Sequence, residues 1–169
     1  MSDEIRNRVD ESGLVSLDLG DLFPHSALVT FDLHDYLWEG LILREKPFRE
    51  SLKSLQESDF RGRTVALFCS SEAVIPDWAW MLVTSQLTQL HALVWIGNTE
   101  EVKSQILIAN IEAMDPAPFT DARIVIKGCS EAGGPHALGH VIRKLQPVAR
   151  SIMYGEPCST VPIYKQPKA

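Results

Sequence analysis

From Thr64 onward the chain alternates between two kinds of apolar pattern. Four short, nearly continuous apolar runs read as buried strands: "TVALFC" (64–69), "HALVWIG" (91–97), "ARIVIKG" (122–128) and "SIMYG" (151–155). Three longer segments carry apolar residues at helical spacing: "IPDWAWMLVTSQLTQL" (75–90), "NTEEVKSQILIANIEAM" (98–114) and "PHALGHVIRKLQPVAR" (135–150). Proline opens the first and last of these, and Pro147 interrupts the last. Asn98 or Thr99 can cap the middle one, with acids in its first turn.

The first 45 residues follow a different pattern. "LVSLDL" (14–19), "ALVTFDL" (27–33) and "EGLILRE" (39–45) are short strand candidates, and together they suggest a small antiparallel or mixed sheet section. "PFRESLKSLQ" (47–56) puts Phe48, Leu52 and Leu55 on one helical face. The tail after Gly155 is too rich in proline for regular helix. No internal repeat is evident. Strands alternating with helices imply parallel pairing through right-handed crossovers. The expectation is a single three-layer α/β domain over 1–169, with a mostly parallel or mixed sheet. It comprises a β-rich N-terminal addition (1–45), an alternating core (46–155) and an irregular tail (156–169).

Composition narrows the partners. The 169 residues are 45% hydrophobic and 22% charged, an ordinary globular profile, and the net charge is −6. That charge argues against nucleic acid and against an anionic membrane surface. The charged start and the lack of a long apolar run lead to the expectation of a cytoplasmic protein. Thiols stay reduced in that compartment, so Cys69, Cys129 and Cys158 are expected to be ligands, reactive groups or packed side chains.

Each cysteine falls near the carboxyl end of an expected strand, the edge where open α/β sheets bind ligands. If those strands are parallel neighbours, three thiolates can share one zinc or iron ion, or an iron–sulfur cluster. Asp77, Glu72, Glu156 and His136 are candidates for a further ligand. Lys127, two residues before Cys129, can favour thiolate. The spacing matches no zinc ribbon or knuckle. Two other classes stay open: an interaction or scaffold domain whose cysteines only pack, and a thiol enzyme.

Other constellations are weaker. "KGCSEAGGPHALGH" (127–140) can cradle an anion on backbone amides, but it lacks the Walker lysine and the arginine of a cysteine phosphatase loop. A plain crossover loop explains it as well. His136 and His140 share a helical face without the glutamate of a zincin motif. Asp77 in a first turn is explained by the helix dipole, and Trp78 and Trp80 by packing or a homodimer contact. No Ser-His-Asp set, Rossmann glycine fingerprint or catalytic carboxylate pair is present.

Several stretches carry a family resemblance: "ARIVIKGCS", "RKLQPVARSIMYGEPCSTVPIYK", "IRNRVDESGLVSLDL", "GLILREKPFRESL" and "VIPDWAWMLV". They resemble an uncharacterised bacterial family catalogued as domain of unknown function 2480, across nearly the whole chain. The matching positions include Cys69, Cys129 and Cys158. The resemblance implies no established activity. It does imply genes lying near those for iron–sulfur cluster assembly, and hence assembly proteins as partners and iron or a cluster as the bound species.

Overall fold

The computed structural model describes residues 14–23, 28–128, 134–156 and 159–167. The architecture is α/β, as the alternation of patterns implies. The chain divides into two compact units. Unit 1 joins Met1–Pro24 to Lys103–Ala169, and unit 2 is the intervening His25–Val102.

In unit 2, strands β2 (Leu28–Asp32), β5 (Thr64–Phe68) and β6 (Leu93–Ile96) form a parallel sheet in the order β2-β5-β6. Between β2 and β5 lie a small hairpin, β3 (Leu37–Trp38) with β4 (Ile42–Leu43), and the helices α1 (Glu45–Lys53) and α2 (Glu57–Phe60). Helix α3 (Asp77–Gln89) crosses from β5 to β6. The central strand contributes Val65 and Leu67 to a core with Phe48 and Leu52 of α1 and Ala79, Val83 and Leu87 of α3. Helix α1 starts two residues earlier than the apolar face suggests, because Glu45 pairs with Arg49 one turn on (2.9 Å). It stops at Lys53, where the Ser54 hydroxyl donates to the Ser51 carbonyl at 2.7 Å.

In unit 1, β1 (Leu14–Asp18), β7 (Arg123–Lys127) and β8 (Ser151–Glu156) are parallel, and β9 (Ser159–Lys165) adds antiparallel to β8. Helix α4 (Thr99–Ala113) begins in unit 2 and continues here, and α5 (Gly134–Leu145) crosses from β7 to β8. The core gathers Ile124 and Ile126 of β7, Leu107 and Ile111 of α4, and Ala137, Val141 and Leu145 of α5. Asn98 proves to be the cap of α4. Its Oδ1 accepts from the amides of Glu100 and Glu101 (3.0 Å each), while Glu101 Oε2 accepts from the Asn98 amide at 2.8 Å.

Two features depart from the sequence expectation. The N-terminal strands do not pair with one another: β1 joins β7 and β2 joins β5. The proline-rich tail holds a seven-residue strand, β9. An edge strand tolerates Pro162, and the register slips between Ile152 and Met153 beside it.

The two units also share one plan, which the sequence alone conceals. Aligning the units by strand register sets Leu14 against Leu28, Thr64 against Arg123, and Leu93 against Ser151. "LVSLDLGD" then matches "LVTFDLHD", and Ser71-Glu72-Ala73-x-x-Pro76 matches Ser130-Glu131-Ala132-x-x-Pro135. Asp18 and Asp32 each accept a hydrogen bond from the amide two residues on, opening a 3₁₀ turn. The buried stripes Ala79-Val83-Leu87 and Ala137-Val141-Leu145 have the same spacing. Gly97, just after β6, and its counterpart Gly155, within β8, both take positive φ, 140° and 121°. The chain therefore repeats one strand-and-helix plan, with the sequence of unit 2 lying between the two segments of unit 1.

Candidate functional site

The carboxyl ends of β5 and β6 surround a cavity of about 320 Å³ in unit 2. Its wall includes Leu67, Phe68 and Cys69 from the end of β5, with Ser71, Ala73 and Ile75 from the following loop. Trp80 of α3, Ile96 and Gly97 after β6, and Glu101 in the first turn of α4 complete it. Cys69 is half-buried, packing partly on the core of unit 2 while lining this space. Its Sγ lies 3.3 Å from Ser71 Oγ. The Ala73 amide donates to the same oxygen at 3.4 Å, and the hydroxyl keeps both a proton and a second lone pair with which to engage the sulfur.

The loop that holds Cys69 is pinned from the neighbouring strand. Asp32, at the end of β2, accepts from the Ser70 amide (3.0 Å) and the His34 amide (2.9 Å) through Oδ1. Partial burial pushes its carboxyl up, but hydrogen bonds from the Ser70 hydroxyl and the two amides outweigh that and hold it below the usual range. A carboxyl depressed in the folded state adds stability above its unfolded pKa, and that stability is lost as pH falls through the folded value. Asp32→Ala is expected to cost about 1–2 kcal/mol at neutral pH. In chemical denaturation the gap from wild type should shrink once the pH is taken below about 4. A gap independent of pH would contradict this role.

The corresponding edge of unit 1 carries the other candidate residues. Lys127 ends β7 and Glu156 ends β8, and the two pair at 3.6 Å from Nζ to Oε2. Glu156 faces Ser159 across the β8–β9 hairpin. Cys129 and Cys158 lie outside the described residues, each two positions beyond a member of that ion pair. The carbonyl of Gly128 accepts from the Tyr154 hydroxyl at 3.0 Å.

The remaining candidates are exposed or engaged elsewhere. Asp77 is exposed at the first turn of α3 and does not line the cavity, which fits the helix-dipole explanation. Glu72 is exposed in the loop after β5, and His136 is exposed in the first turn of α5. His140 is engaged by Glu112, with Nδ1 at 2.6 Å from Oε1, and the imidazole holds the Glu112 carboxyl below its usual range. The anion cradle expected around Cys129 falls mostly outside the described residues. Among the described residues, no three His, Cys, Asp or Glu side chains are grouped to hold a metal ion.

Sequence reasoning passed over Asp32, Ser71 and Ile96. Two of the three carry a signal once the units are aligned. Asp32 belongs to the recurring Asp-Leu-x-Asp, and Ser71 to the recurring Ser-Glu-Ala-x-x-Pro. The same alignment shows that the cysteines are not copies of one position. Cys69 matches Gly128, and Cys129 matches Ser70.

No helix among the described residues is long and apolar enough to cross a membrane. No curated protein and no solved structure matches the chain. A family described as "Protein of unknown function (DUF2480)" matches it over residues 3–166, nearly its whole length, and the three cysteines, Asp32 and Tyr154 all fall within that span. The chain belongs to this family of unknown function.

Proposed function

We propose that this protein binds a thiophilic metal ion, zinc or iron, or an iron–sulfur cluster, through Cys69, Cys129 and Cys158. In this reading it works in the cytoplasm, as a homodimer, as an accessory to iron–sulfur cluster assembly. The observation that carries the reading is the parallel pairing of β7 with β8, whose ends meet in the Lys127–Glu156 ion pair. It supports a common edge for the chain leading to Cys129 and Cys158, because each thiol follows one member of that pair by two residues. The expectation that all three strands are neighbours fails for Cys69, because β5 belongs to the separate β2-β5-β6 sheet. Cys69 enters the reading only as a half-buried thiol at the carboxyl end of a parallel strand. Lys127 serves as a fixed positive charge beside the thiolates and not as a ligand.

The test is the metal content of protein purified anaerobically. The expected result is near-stoichiometric zinc or iron in the wild type. Each single change, Cys69→Ser, Cys129→Ser or Cys158→Ser, should lower it severalfold while circular dichroism stays unchanged. A metal-free wild type that also fails to take up added Zn²⁺ or Fe²⁺ would end the proposal.

A further inference from the structure

The two units finish the same strand edge differently, and the difference points to a ligand. In unit 1 the pairing of the third strand with its parallel neighbour stops at Tyr154, which corresponds to Ile96 in unit 2. The Tyr154 ring spans from that position to the carbonyl of Gly128, which corresponds to Cys69. Unit 2 has no ring rooted at that position, since Ile96 is too short to cross the gap. Ile96 and Cys69 instead stand on the wall of the cavity of about 320 Å³. A second exchange accompanies the first: Trp80 of α3 lines this cavity where α5, aligned by the buried stripes, has Leu138. The indole gives the space an aromatic wall.

We propose that the unit 2 cavity binds a small phenol-sized aromatic molecule, which takes the place that the Tyr154 side chain holds in unit 1. The space is a solvent-open cleft with mixed walls, and its volume exceeds the roughly 150 Å³ that holds a benzene ring in a closed apolar cavity. The walls suit a ring, with Leu67, Phe68, Ile75 and Ile96 supplying apolar contact and Trp80 a stacking face. The Cys69 carbonyl corresponds to the acceptor that Tyr154 uses, so a ring hydroxyl is the matching donor. Ser71 and Glu101 give the cavity its remaining polar character. The bound ring would lie against the side of Cys69 and screen its sulfur. None of this depends on metal ligation, because it needs neither Cys129 nor Cys158.

The experiment uses the full chain with 4-fluorophenol as probe, followed by fluorine NMR in the presence of EDTA. The chelator separates this inference from the metal proposal, so either can fail alone. Saturable binding is expected at one site. With Cys129 and Cys158 changed to serine, the probe should also slow alkylation of Cys69 by iodoacetamide. Ile96→Tyr restores the unit 1 arrangement and should weaken binding roughly tenfold or more. Ala73→Leu fills the cavity from the loop side, leaves the sheet untouched, and should do the same if the tyrosine variant fails to fold. Absence of saturable binding to the wild type would overturn the proposal. So would binding unchanged in whichever of the two variants is folded.

Discussion

Phe48→Ala is expected to lower stability by about 3–5 kcal/mol, the largest effect of any single side-chain truncation considered for this chain. Phe48 is 2% exposed, and its ring meets Tyr36 at 5.4 Å and Trp78 at 6.3 Å, both edge-on. It joins three pieces of unit 2: the 3₁₀ turn after β2, helix α1 and the start of helix α3. Truncation removes the buried ring area and the aromatic geometry together, and a packed core cannot close over a ring-sized void without strain. Denaturant unfolding gives the stability change directly. Hydrogen exchange adds a spatial test. Protection should fall most across β5 and α3, whose residues share the Phe48 core, and less across β7 and α5. A loss below 1 kcal/mol would mean that α1 is not part of the unit 2 core.

The second large effect is expected at Gly155. Its φ is +121°, and a Cβ placed there would sit 2.7 Å from the backbone carbonyl oxygen of Ser159. Neither problem can be relieved by rotating a side chain. The backbone conformation alone costs a non-glycine residue about 1–3 kcal/mol, and the contact adds to that. Gly155→Ala should therefore destabilise the β8–β9 hairpin by several times the cost of Gly128→Ala. At Gly128 the new Cβ meets the Leu19 side chain, with Cδ1 at 3.3 Å, and that side chain can give way. In sequence Cys158 falls between β8 and β9, so in the proposed metal reading Gly155→Ala should also reduce metal uptake without removing a thiol. Thermal melts of the two glycine variants, read together, check the first claim. Equal melting temperatures would contradict it.

The part of the fold governed by local pattern was legible from the residues. Val65 to Leu67 and Ile124 to Ile126 are almost fully buried, so their runs showed no alternation and read as central strands. The helices between them declared themselves by period and by caps such as Asn98. Pairing was not legible, because it is decided by contacts distant in sequence. "LVSLDL" and "ALVTFDL" look like neighbours in a small sheet, but each pairs with a separate, more fully buried strand. β9 was hidden by Pro162, which is costly inside a sheet and harmless on its outer edge. The shared plan of the two units was hidden by nesting. The first strands of the two units are close in sequence and the later ones far apart, so no fixed period relates them. Of the candidate site, Cys69 was placed by a simple rule about strand ends. The cavity beside it depends on the exchange of Tyr154 for Ile96, which has no meaning until register makes those positions equivalent.

X-ray absorption at the zinc edge, on protein loaded with one equivalent of Zn²⁺, tests the three-thiol site most directly. Ligation by Cys69, Cys129 and Cys158 predicts three sulfur scatterers at about 2.3 Å and one lighter ligand at about 2.0–2.2 Å. A shell of nitrogen and oxygen alone, or one that is unchanged in the Cys69→Ser variant, would contradict it.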